Sequence, residues 1–368
     1  MNIVPWAGSA IFPALCKTLL AWRKSAPDTR DLPWRDEPTP YHVWISEIML
    51  QQTRANVVRA YYLRFLEALP TVHALAACDS EVLMKLWQGL GYYSRARNLK
   101  RAAEVIVRDH GGTLPNNFDA LLALPGIGRY TASAIASFAY GLPHPAVDGN
   151  FLRVAARITA NPIDIAKDVT KRALEAALSP SYPTGHEAGL LNEAFMDLGA
   201  TICLPNGAPL CHACPVCRLC LAHEYSAQQD YPVRSAPKVR RHERRTILLL
   251  RTGDLYAIRK RPARGLLAGL WEYPNVDGKL SKRAVHAHLT AEGYDILKIT
   301  PLPPARHVFT HIEWDLTGWE VTVADTNETP LMAAEEDAKE TVSLLWVRRT
   351  ELANIYSVPA AFGYFTPH

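Results

Sequence analysis

The sequence lacks an uninterrupted apolar run long enough to cross a bilayer. Its first residues include Pro5, Pro13 and Lys17, without a charged start or a small-residue cleavage site. A secretory signal peptide is therefore not expected. Internal repeats and long low-complexity segments are also absent from the sequence. We expect a cytoplasmic protein that does not associate with membranes.

The composition shows no strong bias of charge. Of the 368 residues, 48% are hydrophobic and 21% charged, which is typical of a soluble globular protein. A net charge of +4 permits nucleic-acid binding but does not by itself indicate it. The chain is long enough for two domains, each with its own core.

Cysteine is scarce outside one short segment. Five of the seven cysteines lie within residues 203–220, which is typical of a metal site in a reducing compartment and not of a disulfide framework. Gaps of seven, two and five residues separate the four candidate ligands Cys203, Cys211, Cys214 and Cys220. Four thiolates from one loop suit a tetrahedral zinc ion or a cubane iron–sulfur cluster, and the spacing alone favours neither.

Hydrophobic periodicity divides the chain. Residues 1–225 have helical spacing throughout, punctuated by prolines. Residues 226–245 are polar and basic, which predicts a linker. Its charge could lie along a phosphate backbone, or the segment could be a solvated tether.

From residue 246 the period changes to two, which predicts an α+β second domain over 246–368. A hairpin is expected around Thr252-Gly253-Asp254. A helix is predicted around 282–292, strands around 308–316 and 319–323, and a final strand and helix after them.

Residues 122–150 contain the most informative pattern. Leu124-Pro-Gly-Ile-Gly128 predicts a tight turn, with Gly126 and Gly128 supplying backbone freedom, before a helix over 130–140. The free N–H groups at the start of that helix would form a phosphate site. Asp148 follows at the mouth of the next helix. An ordinary αα-hairpin would show the same turn.

Two carboxyl groups have contrasting surroundings. Glu47 lies among Trp44, Ile45, Ile48 and other apolar residues, and loss of water there would raise its pKa, as suits a general acid. Asp148 is expected at a helix N-terminus that keeps it ionised. Taken singly, Glu47 could instead pair with an arginine such as Arg35, and Asp148 could be a simple helix cap.

This order of motifs resembles the helix-hairpin-helix DNA glycosylases of the endonuclease III superfamily. The residue two positions after the second hairpin glycine distinguishes the branches of this superfamily. In the glycosylase-lyases it is a lysine, which acts as the Schiff-base nucleophile. Here that residue is Tyr130, which cannot form an imine. The resemblance therefore points to the adenine DNA glycosylase (MutY) family.

The resemblance implies roles for individual residues. Glu47 would protonate the departing adenine, and Asp148 would stabilise the oxocarbenium-like sugar or attack it. Tyr130 and Asn150 would support this pair by hydrogen bonding. The helical region would end in a [4Fe-4S] cluster held by Cys203, Cys211, Cys214 and Cys220. The first gap is one residue longer than usual, and the extra Cys217 could replace a ligand.

The resemblance also implies how DNA is held. Gln51-Gln52-Thr53 and Gly89 to Asn98 match segments that wedge into the duplex when a base is extruded. Gln52 and Tyr92 are the candidates for insertion, and Gly126 and Gly128 would contact the backbone.

The second domain resembles a Nudix domain that has lost its catalytic box. Gly265 to Pro274 matches the approach to that box, but no cluster of carboxylates follows. Arg306 to His311 matches the loop that recognises 8-oxoguanine opposite the target adenine. Phe309, Thr310 and His311 are its candidate contacts, and Thr310 stands where the family usually has serine, so a hydroxyl remains.

The implied fold is an all-α helix-hairpin-helix glycosylase domain with an iron–sulfur loop (1–225), a basic linker (226–245) and an α+β Nudix-like 8-oxoguanine-recognition domain (246–368). The implied activity is monofunctional excision of adenine mispaired with 8-oxoguanine or guanine in double-stranded DNA, by a monomer. Three alternatives remain: an endonuclease III-type pyrimidine glycosylase and lyase, a nucleotide-pool pyrophosphatase, and a non-catalytic lesion-binding protein.

Overall fold

The computed structural model describes residues 6, 9–25, 30–236, 239–324 and 344–367. Pro237 and Lys238 of the predicted linker lie outside the described residues. The chain divides into two compact units, one of Met1–Ala77 with Arg97–Ala236 and one of Cys78–Ala96 with Pro237–His368. In the part of the chain that the structure describes, no helix is long and apolar enough to cross a membrane.

Helices account for nearly all regular structure before residue 225, as the sequence predicts. In chain order they are α1 (Phe12–Ser25), α2 (Pro40–Leu50), α3 (Ala55–Ala68), α4 (Val72–Ala77), α5 (Ser80–Trp87), α6 (Ser94–Asp109), α7 (Phe118–Ala123), α8 (Arg129–Phe138), α9 (Gly149–Ile158), α10 (Asp168–Leu178), α11 (His186–Thr201) and α12 (Leu221–Glu224).

The first unit is built around the contact between α9 and α11. Phe151 of α9 and Phe195 of α11 stack with their ring centroids 3.8 Å apart, in a core that α1 completes. Gly199 of α11 allows the closest approach. A Cβ added there would lie 2.6 Å from the Cβ of Asn150, so no larger residue fits between the helices.

The predicted helical hairpin is formed by α7, the turn 124–128 and α8. Gly126 has φ of +76°, and a Cβ on it would lie 2.5 Å from that of Asn98, so both conformation and space require glycine. Gly128 has φ of −88°, and no atom lies within 4 Å of an added Cβ. The predicted need for backbone freedom is therefore correct for Gly126 and wrong for Gly128.

A mixed sheet of seven strands forms the second unit. Its elements are β1 (Arg241–Thr252), β2 (Leu255–Lys260), β3 (Trp271–Glu272), β4 (Asn275–Asp277), α13 (Lys282–Ala291), β5 (Ile296–Val308), β6 (Ile312–Val323), β7 (Leu345–Arg348), α14 (Arg349–Asn354) and α15 (Ala360–Gly363). The strand order is β3-β2-β1-β6-β5, with β4 beside β1 and β7 beside β2. Strands β1 and β6 are parallel, and the other pairs are antiparallel.

The predicted hairpin at 252–254 and the predicted helix near 282–292 are confirmed. The predicted strand 308–316 is wrong at its start, because β5 ends at Val308 and β6 begins at Ile312. The amide of Phe309 donates to the carbonyl of Ile312 at 2.8 Å, which closes a tight turn over 309–311. Strand β1 begins at Arg241, so residues 241–245 of the predicted linker lie in the sheet.

Helix α5 belongs to the second unit, although its sequence lies among the helices of the first. The Ser357 hydroxyl donates to the carbonyl of Met84 at 3.2 Å, and Gln88 Nε2 donates to the carbonyl of Val358 at 3.0 Å. Trp271 Nε1 donates to Glu81 Oε2 at 2.8 Å. These contacts attach the segment 78–96 to the sheet domain, which the sequence did not indicate.

We expect Gly199→Ala to lower the free energy of unfolding by about 1–3 kcal/mol, because the added methyl group would overpack the contact between α9 and α11. Chemical denaturation followed by circular dichroism measures this change. Gly128→Ala is the matched control and should be near neutral, since its backbone is extended and its surroundings are open. Equal stability of the two variants would contradict the packing argument.

Candidate functional site

A cleft of about 560 Å³ opens in the first unit. All four predicted catalytic residues, Glu47, Tyr130, Asp148 and Asn150, line it. They come from three elements, because Glu47 lies on α2, Tyr130 on the first turn of α8, and the other two at the start of α9. The fold therefore brings the two sequence motifs, which lie about a hundred residues apart, to one place.

Glu47 is 5% exposed on a helix whose other faces are also buried. Its pKa is raised to about 7, chiefly by burial and also by the nearby charge of Asp148, while a hydrogen bond from Tyr130 and the charge of Arg35 oppose the shift. Its Oε2 atom has no hydrogen-bond partner. Glu47 is therefore buried and has a raised pKa, as the sequence predicts.

Asp148 is the N-cap of α9. Its side chain accepts a hydrogen bond from the amide of Phe151 at 2.7 Å and another from Asn150 Nδ2 at 2.9 Å. Burial nevertheless raises the pKa of Asp148, against these hydrogen bonds and the charge of Arg153. The sequence argument anticipated the helix cap but not this opposing effect of burial.

The two carboxyl groups differ in what stabilises their charged forms. Asp148 accepts hydrogen bonds from two N–H donors, whereas Glu47 Oε2 accepts none. Hydrogen bonds from N–H donors favour a carboxylate over a carboxylic acid. The hydrogen bonds at Asp148 therefore favour its anionic form, and burial favours the neutral form of Glu47.

The charge of Arg35 acts on Glu47, the pairing that the sequence left open, and the same guanidinium also forms ion pairs with α11. It lies 2.9 Å from Asp197 and 3.5 Å from Glu193. Arg30 also pairs with Asp197, at 2.7 Å. Arg30, Arg35 and Glu193 line the same cleft, so charged groups surround the apolar space beside Glu47.

Arg153 is a supporting residue that the sequence analysis missed. Its Nη2 donates to Asn150 Oδ1 at 2.9 Å and to the Gly199 carbonyl at 2.6 Å, and its Nε donates to the Cys203 carbonyl at 2.9 Å. It thereby orients the amide that holds Asp148. The available signal was a buried arginine within the apolar run of α9, since such a charge needs partners.

All five cysteines of the loop 203–220 line one cavity, including the four predicted ligands and Cys217. Arg157 Nη1 donates to Cys203 Sγ at 3.2 Å and to the Leu204 carbonyl at 2.8 Å. Within the described ranges, no group of three or more His, Cys, Asp or Glu side chains converges closely enough to hold a single metal ion. The thiols surround a space and do not meet at one point.

The two predicted wedge residues share an unusual backbone conformation. Gln52 has φ of 57° and Tyr92 has φ of 47°, and both side chains are exposed. Positive φ is costly for residues other than glycine and is often found at functional sites. Gln52 lies at the rim of the first unit's cleft, just after α2, and Tyr92 lies in the second unit, just after α5.

Thr310 is at the tip of the hairpin between β5 and β6. Its hydroxyl is 3.1 Å from that of Tyr92, so the structure brings together two predicted DNA contacts 218 residues apart within the second unit. Phe309 packs inward, with its ring centroid 4.9 Å from that of Trp314. The carbonyl of His311 accepts from the amide of Arg241 at 2.9 Å, which fixes the hairpin to β1.

Each of the two regions of the chain matches a known protein family. Residues 45–180 match the HhH-GPD superfamily of base excision DNA repair proteins, and residues 246–365 match the NUDIX domain. Among solved structures, a thermostable thymine-DNA glycosylase is 31% identical, with a TM-score of 0.53 over 60% of this chain and 99% of that one. An endonuclease III–DNA complex, 23% identical with a TM-score of 0.50, shares the fold.

Curated relatives cover most of the chain. The adenine DNA glycosylase of Rattus norvegicus is 33% identical over 86% of this chain and 72% of its own length. That of Homo sapiens is 33% identical over 87% of this chain and 67% of its own length. The resemblance inferred from the sequence motifs is thus confirmed over both units, and the chain belongs to the adenine DNA glycosylase family within the HhH-GPD superfamily.

Proposed function

We propose that this protein excises adenine mispaired with 8-oxoguanine, or with guanine, from double-stranded DNA, acting as a monomer. The observation that carries the proposal is the pair of carboxyl groups in one cleft, Glu47 buried and Asp148 half-buried. Asp148 accepts hydrogen bonds from two N–H donors, whereas Glu47 Oε2 accepts none. The names of the curated relatives support adenine as the base that is removed.

The chemistry follows from the different states of the two carboxyls. Glu47 donates its proton to the adenine as the bond between the base and C1′ breaks, and the bonding electrons leave with the base. Positive charge then develops on the sugar, and the Asp148 carboxylate stabilises it. Water adds at C1′, loses a proton to a carboxylate, and leaves an abasic site. Tyr130 and Asn150 hold the two carboxyls in place.

The product should be an uncut strand. Strand cleavage by a lyase requires an amine that forms an imine with the sugar. Tyr130 occupies the position of that amine and presents a hydroxyl beside Glu47. This argues against the endonuclease III-type alternative. The missing carboxylate box after Pro274 argues against a pyrophosphatase, because no cluster of carboxylates follows there to bind magnesium.

We propose that Cys203, Cys211, Cys214 and Cys220 hold a [4Fe-4S] cluster. All four thiols line one cavity, and the guanidinium of Arg157 donates to Cys203 Sγ, which favours a thiolate ligand. Bound there, the cluster would act as a structural centre that cross-links the loop. The loop in turn accepts hydrogen bonds from Arg153 and Arg157 of α9.

We assign the recognition of 8-oxoguanine to the hairpin 309–311 and to Tyr92. The Thr310 hydroxyl stands at an exposed tip, and the inward packing of Phe309 supports the hairpin. Gln52 would fill the space that the extruded adenine leaves. Gly126 and Gly128 would let the backbone approach a phosphate.

We expect Glu47→Gln and Asp148→Asn each to keep the shape of the cleft and lose most of the rate, since general acid catalysis alone contributes about 100- to 10,000-fold. Single-turnover adenine release and duplex binding are measured in parallel, with Glu67→Gln, a change at an exposed position of α3, as the control. Both variants should bind normally. Near-normal release by either one would remove that residue from the mechanism.

The wild-type rate should fall as the pH rises through about 7, the pKa to which burial raises Glu47, because only the neutral acid donates. It should also fall at low pH, where Asp148 becomes protonated. The residual activity of Glu47→Gln should lack the decrease at high pH. A profile that retains this decrease would assign the acid to another group.

We expect Thr310→Val to reduce the preference for 8-oxoguanine over guanine several-fold, since a lost hydrogen bond is worth roughly 0.5–1.5 kcal/mol. Adenine release from each duplex gives this preference. Thr310→Ser should retain it, and Thr300→Val on the same hairpin controls for the change of residue type. Unchanged discrimination in Thr310→Val would place the reader elsewhere.

We expect Cys217→Ser to retain iron, sulfide and visible absorbance, whereas Cys211→Ser should lose them. Iron and acid-labile sulfide per chain are measured with the absorbance spectrum. Loss of colour in Cys217→Ser would mean that Cys217 is a ligand. Stoichiometric zinc without iron in the wild-type protein would refute the cluster.

A further inference from the structure

Residues 226–236, here called the strap, follow the cysteine loop and have the composition of a tether, but they are bound along the first unit. Arg157 Nε on α9 donates to the carbonyls of Gln228 and Tyr231, each at 3.0 Å. The amide of Ile165 donates to the carbonyl of Val233 at 3.1 Å. Because hydrogen bonds hold the carbonyls of Gln228, Tyr231 and Val233, the backbone of the strap follows a single path along the first unit.

The far end of the strap is anchored by Asp164. Its carboxylate accepts a hydrogen bond from the amide of Ser235 at 3.3 Å and another from the Ser235 hydroxyl. Arg234 therefore lies between two anchored residues, Val233 and Ser235. Its backbone position is fixed on both sides, while its side chain remains exposed.

This path carries Arg234 to the start of α9. Its Nη2 atom lies 3.8 Å from the position that a Cβ on Gly149 would occupy. Gly149 directly follows Asp148 and precedes Asn150, so the guanidinium stands beside the two residues that face the proposed sugar. The strap thus places a cation at the N-terminus of α9, next to Asp148 and Asn150, although Arg234 lies more than 80 residues further along the sequence.

The charges around Arg234 do not explain its position. No ion pair among the described residues includes Arg234, and its positive charge acts unfavourably on Arg153. Anchoring a cation near another cation costs Coulomb energy unless an anion approaches. The sugar that Asp148 faces carries a phosphate on each side, and a guanidinium is suited to bind one of them.

We propose that the strap holds Arg234 as a phosphate clamp, which binds a backbone phosphate next to the extruded adenine nucleotide. This inference rests on the proposed function. It assigns the basic segment after the cysteine loop to DNA binding at one defined residue, in place of a diffuse electrostatic role. The clamp positions the substrate and takes no part in proton transfer.

The test measures affinity against salt concentration, using a duplex that pairs 8-oxoguanine with a non-hydrolysable 2′-fluoro adenosine analogue. Each phosphate contact contributes about 0.9 to the slope of log K against log salt. We expect Arg234→Ala to lower that slope by about one, and Arg234→Lys to restore most of it. Arg172→Ala, an exposed arginine on α10, is the matched control and should retain the full slope.

A second variant tests the strap itself. Asp164→Ala removes the anchor of Ser235 while leaving Arg234 in the chain, so it should weaken binding. In combination with Arg234→Ala it should add little, because both changes remove the same contact. Fully additive losses would show that the strap acts apart from Arg234 and would overturn the proposal.

The remaining outcomes separate this inference from the proposed function. Wild-type protein that releases no adenine would refute the proposed function directly. Release by the wild type, together with an unchanged salt slope in a folded Arg234→Ala, would refute the clamp alone. Thermal unfolding of each variant establishes that it is folded.

Discussion

The proposed chemistry depends on removing water from two carboxyl groups while supplying N–H donors to only one of them. Burial alone would push both groups towards their neutral forms, and two neutral acids could not stabilise a cationic sugar. The amide of Phe151 and the side chain of Asn150 supply that difference at Asp148. Glu47 lies on a helix that is buried on every side and offers its Oε2 no partner.

Helix α9 links this cleft to the rest of the first unit. Its first turn holds Asp148, and Arg153, one turn further on, joins Asn150 to the carbonyl of Cys203. Arg157, another turn along, binds both the cysteine loop and the strap. One face of a single helix therefore connects the carboxylate, the thiols and the proposed clamp. A disturbance of the loop would reach Asp148 through two hydrogen-bonded side chains.

The sequence alone was sufficient to identify the short motifs whose residues meet a local chemical or conformational requirement. The hairpin glycines, the apolar surroundings of Glu47 and the spacing of the cysteines each express a local requirement, so no tertiary information was needed. Arg153 and Glu193 were missed, and Arg35 was named only as a partner of Glu47, because their partners on other elements lie far along the chain. The strand boundary at Phe309 was misplaced for a related reason. Residues 308–316 have strand-forming composition, and the turn is shown only by the folded structure, in which the amide of Phe309 donates to the carbonyl of Ile312 and its ring packs on Trp314.

The second unit is not continuous in sequence, since the segment 78–96 completes it from within the helical region. A gene truncated before residue 237 would still encode α5, but Ser357, Val358 and Trp271, which bind it, would be missing. A chain without the sheet domain would thus keep helix α5 and the Tyr92 that follows it, but not the residues that bind this helix. An exchange of the sheet domain between relatives would have to include the segment 78–96. Residues of this segment and residues of the sheet domain are therefore expected to co-evolve, although they lie far apart in the sequence.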